Sequence, residues 1–88
     1  MGSEKGVADA MVRGTLTTGG VPDPNETIVF QPTAGGPAIN VNTDGNGAFI
    51  TTALTGPKSY IVSVDGDVCD QSPVNVPPTG LPNLSLTH

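Results

Sequence analysis

At 88 residues the chain makes one domain, near the smallest size at which a protein without disulfides or metals buries enough apolar surface to fold alone. Its 12 glycines, 9 prolines and only three aromatics, Phe30, Phe49 and Tyr60, are the balance of a short-stranded, turn-rich β domain and exclude long helices. A formal charge of -5, with Lys5, Arg13 and Lys58 as the cations, argues against nucleic acid or an anionic membrane as partner, since such affinity needs clustered Lys and Arg.

Residues 1–9 are polar, glycine-bearing and without periodicity, and read as an N-terminal arm; the domain proper is expected over 10–88. This start lacks the apolar core of a secretory signal, so the chain is expected either to be used without Sec export or to be an excised piece of a longer exported protein. No run of roughly 18 apolar residues is present to cross a membrane as a helix.

From Ala10 the pattern alternates. Val12, Gly14 and Leu16 share one face and Arg13, Thr15 and Thr17 the other, as a half-buried strand requires. A Gly-Pro loop over 19–24 ends it. A second strand is predicted over Thr27–Gln31, with Ile28 and Phe30 inward, and a third over Ile39–Thr43, with Ile39 and Val41 opposed to Asn40 and Asn42.

Thr43-Asp44-Gly45-Asn46-Gly47-Ala48-Phe49 follows. Gly45 and Gly47 accept left-handed conformations and Asp44 and Asn46 can hydrogen-bond their own turn, so a β-hairpin is predicted between the third strand and a fourth over Ala48–Leu54. Thr55-Gly56-Pro57-Lys58 supplies another reversal before a fifth strand, in which Tyr60, Val62 and Val64 share a face. Asp65-Gly66-Asp67 is a tight turn, Val74–Val76 a short sixth strand, and Leu84 and Leu86 the inward positions of a seventh. Seven short strands punctuated by Gly and Pro predict an all-β fold, a sandwich or small barrel. The predicted core is Val12, Leu16, Ile28, Phe30, Ile39, Val41, Phe49, Tyr60, Val62, Val64, Val74, Val76, Leu84 and Leu86.

The order Val12-x-Gly14-x-Leu16, a Pro-containing loop, Thr43-Asp44-x-x-Gly47-x-Phe49, Leu54-x-Gly56 and Tyr60-x-Val62-x-Val64 resembles the carboxypeptidase regulatory-like domain over about residues 10–87. That resemblance implies a small seven-stranded Greek-key β-sandwich of the Ig-like, transthyretin-like (prealbumin-like) kind. It gives structural roles only, with Asp44 and Gly47 holding the hairpin and Phe49 and Tyr60 filling the core. It implies no catalytic residue and no cofactor.

The residues themselves point the same way. A nucleophile–base pair needs Ser or Cys beside a positioned His, and the one histidine, His88, lies at the end of the chain, where it reads as a frayed or partner-contacting residue. Cys69 alone forms neither an internal disulfide nor a multi-cysteine zinc site and reads as a small buried side chain. Asp44-x-Asn46 begins like a calcium loop, but Ala48 and Thr55 stand where further oxygen ligands are required; Asp65, Asp67 and Asp70 are the better, though weak, calcium candidates.

The expectation is therefore a non-enzymatic structural or interaction protein of a large assembly, specifically a decoration protein on the surface of a bacteriophage virion, capsid or tail. Its contacts are expected through strand edges, loop tips and the arm, in particular Glu4, Lys5, Val7 and Asp9. The alternative is an extracellular or cell-surface stalk or carbohydrate-binding module from a secreted bacterial adhesin or polysaccharide-degrading protein. Sugar faces stack on exposed aromatics, and the aromatics here fall at inward positions, which disfavours a sugar site.

Overall fold

The structure, a computed structural model, describes residues 8–88. It is an all-β sandwich of two sheets. Its strands are β1 (Ala8–Thr18), β2 (Val21–Pro22), β3 (Thr27–Pro32), β4 (Ile39–Asn42), β5 (Ala48–Gly56), β6 (Lys58–Val64), β7 (Asp67–Val68), β8 (Val74–Val76) and β9 (Leu81–Thr87). All seven predicted strands are present, and β2 and β7 are two-residue additions that close tight hairpins. At the β6–β7 turn both central residues are left-handed, Asp65 at φ 52° and Gly66 at φ 85°, which matches the twist of the flanking strands.

In the first sheet β1 is central, with β5 antiparallel on one side, β9 parallel on the other and β2 pairing its end. The second runs β4-β3-β6, with β7 and β8 both on the far side of β6. β1 begins two residues before the predicted domain start. Asp9, assigned to the arm by sequence, pairs with Thr55 in the β1–β5 ladder.

The segment from Thr43 to Phe49 is not a hairpin. β4 pairs with β3, and β5 pairs with β1 in the other sheet, so the turn is a corner that carries the chain across the sandwich. Local chemistry specified the reversal but not the partner. Partner choice is made by long-range bonds: the Leu16 N–H donates to the Gly47 carbonyl at 2.8 Å, committing the outgoing chain to β1. On the incoming side the Thr43 hydroxyl donates to the Asp23 carbonyl at 2.7 Å and accepts from the Glu26 N–H at 2.8 Å, which ties the corner to the β2–β3 loop.

Inside the corner Asp44 Oδ1 accepts from the Asn46 and Ala48 N–H groups at 2.8 and 3.0 Å. Gly47 is left-handed at φ 76°, and a Cβ there would lie 2.9 Å from the Leu16 carbonyl oxygen, so both its conformation and its surroundings demand glycine. Gly45, also expected to need that freedom, is not among the left-handed residues. The Thr55–Lys58 reversal is a second such corner, returning the chain from β5 to β6.

Two bulges interrupt the alternation around β1. Between the pairs Ala10–Leu54 and Val12–Thr51, Met11 faces both Thr52 and Ala53. Between Val12–Leu81 and Gly14–Leu84, Arg13 faces both Pro82 and Asn83. An extra residue shifts the phase of everything beyond it. Leu54 is therefore fully buried although strict alternation from Phe49 would turn it outward.

The predicted core residues are all buried except Ile39 and Leu84, which are half-buried and pack against the rest; Ala10, Leu54 and Cys69 join the core, and Leu81 packs on it. Phe30 links the two sheets, its ring centroid 6.4 Å from that of Phe49 and 6.0 Å, edge-on, from that of Tyr60.

Candidate functional site

The residues singled out by sequence fall into separate places. Phe49 and Tyr60 lie in the core, and Asp44 and Gly47 lie in the corner found where a hairpin was expected. The buried Tyr60 phenol is satisfied locally: its oxygen accepts from the Thr55 N–H at 3.1 Å, and its O–H lies 3.1 Å from the Thr55 carbonyl. Glu4, Lys5 and Val7 lie outside the described residues. Asp9 is exposed at the start of β1.

The three calcium candidates do not converge. Asp65 sits exposed in the β6–β7 turn, Asp67 Oδ2 faces His88 Nδ1 at 3.9 Å, and Asp70 Oδ2 accepts from the Thr87 hydroxyl at 2.7 Å. Among the described residues no three His, Cys, Asp or Glu side chains form a group that could hold a metal.

His88 is not frayed. Its ring is largely buried, Nε2 lies 2.9 Å from Asp23 Oδ2, and its backbone N–H donates to the Thr17 carbonyl at 3.3 Å. Nδ1 is buried without a hydrogen-bond partner. Sequence spacing could not bring positions 23 and 88 together; the parallel β1–β9 pairing does, by setting the end of β9 beside the β1–β2 hairpin.

A hydrogen bond from the Thr18 hydroxyl, and then the His88 ring, hold the Asp23 carboxyl below the usual carboxylate range, with burial opposing them. A group with a depressed native pKa contributes stability above its unfolded value that is lost as pH falls through the native one. The melting-temperature difference between the protein and an Asp23→Asn variant should therefore shrink as pH is lowered from about 5 to about 2. A difference that stays constant across that window would contradict the assignment.

Cys69 is buried between β7 and β8, its N–H donating to the Val62 carbonyl at 2.8 Å. Burial, and secondarily Asp70, push its thiol up to about 11, so it stays protonated at neutral pH. Iodoacetamide at pH 8 should modify the native protein far more slowly than the urea-unfolded chain, as read by intact mass. Equal rates would mean that Cys69 is accessible.

Several strand edges carry features that limit further pairing. β9 carries Pro82, which has no N–H, and its Thr87 accepts from the Asp70 N–H and donates to Gln71 Oε1, both at 2.8 Å. β8 is three residues flanked by Pro73, Pro77 and Pro78. In β5 the Ala53 N–H is taken by the Thr51 hydroxyl and Thr55 by Tyr60. Proline, short strands and side-chain capping are the usual guards against edge-to-edge association, and here they fall on β5, β8 and β9, whereas β4 is an edge of the second sheet that pairs with β3 alone.

A face is open as well. Arg13 and Ile50 are directly paired on the outward side of the first sheet, with Met11 two residues along β1; Ile50 is 55% exposed and Met11 49%. Beside them lies an open groove of about 530 Å³, lined by Arg13, Thr15, Phe49 and Ile50 of the sheet, Asn42 and Asp44 of the corner, and Pro82 and Asn83 of the β9 bulge. Sequence reasoning placed Arg13 outward but saw no groove, because its walls come from segments some 70 residues apart.

No family model, curated protein or solved structure matches the chain. Its functional reading therefore rests on its own residues.

Proposed function

We propose that the protein is a non-enzymatic structural component of a large assembly, specifically a decoration protein of a bacteriophage capsid or tail, built on a carboxypeptidase regulatory-like, transthyretin-like sandwich. The observation that supports this most is the first sheet's outward face, where Met11 and Ile50 stand exposed on either side of Arg13. Large apolar side chains grouped around one cation on an otherwise acidic surface suit a protein–protein contact, in which apolar anchors exclude water around a charge. Val21 and Val68, also exposed, add apolar tips at the two tight hairpins. Docking proceeds through this face and the loop tips, with the arm as a further tether.

Peptides of this chain should appear, at many copies per particle, in the mass spectrum of gradient-purified particles from the phage that encodes it. Recovery only from the soluble fraction would refute the proposal. Deleting residues 2–7, which leaves β1 whole, should abolish incorporation while preserving the circular dichroism of the isolated fold. Unchanged incorporation would remove the arm's role but not the face's.

A further inference from the structure

We propose that the groove beside Arg13 receives an acidic peptide segment of a neighbouring protein, with a side-chain carboxylate on the Arg13 guanidinium and a peptide N–H on Asp44. The partner's place in an assembly rests on the reading above; the groove's chemistry does not.

Arg13 has no carboxylate or hydrogen-bond partner among the described residues, so its planar fork of donors is available for the bidentate grip that carboxylates accept. It stands between two strands bulged on either side of β1, with the β9 bulge directly opposite it, and such bulges re-aim side chains at sites. The Asn42 amide is oriented by its own contact: Oδ1 accepts from the Thr27 hydroxyl at 2.9 Å, which leaves the NH₂ to donate. Asn83, in the β9 bulge, adds a second amide to the wall.

Asp44 narrows the choice of ligand. Its Oδ1 is occupied by two turn N–H groups, whereas Oδ2 accepts no hydrogen bond from the described residues. A bare anion such as phosphate would meet that carboxylate as a like charge; an acidic peptide brings backbone N–H donors to it as well as a carboxylate to Arg13. Ile50, exposed on the groove wall, provides an apolar shoulder for a residue flanking the acid. A saccharide is disfavoured because Phe49 is only 5% exposed and offers no stacking face. The complementarity is local: Arg13 is the one cation and Asp44 the one carboxylate lining this groove, so a segment that fits both presents a carboxylate to the first and an N–H to the second.

The test is an NMR titration of the ¹⁵N-labelled full chain with the capped peptide acetyl-Val-Asp-Glu-Val-amide, its Asn-Gln counterpart, and sodium glucuronate. The acidic peptide should produce saturable shifts at the Arg13 side chain, the Asn42 and Asn83 side-chain amides and Ile50. Binding should weaken about tenfold or more for the Asn-Gln peptide and for Arg13→Gln, and less for Arg13→Lys, which keeps the charge without the fork. Arg13 is exposed, so both variants should keep the parent melting temperature. Equal response to the neutral peptide, saturation by glucuronate in place of peptide, or no shift in the groove at millimolar peptide would each overturn the proposal. A failed titration with the chain present in particles would remove the groove alone; saturable binding with the chain absent from particles would remove the assembly reading alone.

Discussion

Substituting alanine for Gly14 is expected to destabilise the protein by about 3 kcal/mol, a fall of roughly 12–24 °C in melting temperature for a domain of this size. A Cβ at position 14 would lie 1.8 Å from the Leu84 carbonyl oxygen and 3.0 Å from the Phe49 ring. The nearer obstacle is backbone, held in the β1–β9 ladder beside the β9 bulge, so no rotamer change relieves it. Relief requires β9 to move away from β1, which uncovers Leu84 and Leu86 and strips the last strand from its only ladder. Gly45→Ala is the matched control, because a Cβ there meets nothing within 4 Å. Thermal melts followed by circular dichroism should separate the two variants widely; a Gly14→Ala protein melting within a few degrees of the control would show that the β1–β9 register is wrong.

Truncating Tyr60 to alanine should cost about 3–5 kcal/mol, the usual range for emptying an aromatic site in a close-packed interior. Tyr60 is fully buried, packs edge-on against Phe30, and is among the largest fully buried side chains. Tyr60→Phe isolates the hydroxyl. It leaves the ring in place but removes the partner of the Thr55 N–H, for about 1–3 kcal/mol. Domains of this length are stable by only about 4–13 kcal/mol in all, so the alanine variant removes a large share of the total and the phenylalanine variant a measurable one. Urea titrations would report both. Equal losses would place the energy in the hydroxyl, and a neutral Tyr60→Phe would mean that water replaces it at Thr55.

The strands were legible because their signal is local. Ile28 and Phe30, or Tyr60, Val62 and Val64, alternate cleanly, and each run is bounded by Gly or Pro, so position and inward face follow from the period alone. Turns were legible but pairings were not: Asp65-Gly66 was read as a tight turn, without the two-residue β7 that pairs back onto β6. The corner at Thr43–Phe49 carries equally strong turn residues, yet its outgoing strand joins β1, because the bonds that decide the matter reach from Leu16, Asp23 and Glu26. Leu54 escaped the predicted core because the Thr52–Ala53 bulge shifts the phase between Phe49 and Leu54, and a bulge leaves no mark in a two-residue repeat. His88 and the groove were hidden for a related reason. Both depend on β9 lying parallel to β1, a contact between the two ends of the chain.

That placement of β1 also bears on how the molecule is made. Among the described strands, β1 is made before the two that flank it along most of its length, β5 following about 30 residues later and β9 about 65. Until then the pairing of β1 is confined to the two-residue β2 at Thr17 and Thr18. A chain that stops before Leu81 lacks the β9 side of β1. The β1–β9 pairing closes a long loop, a kind of contact that slows folding relative to local hairpins.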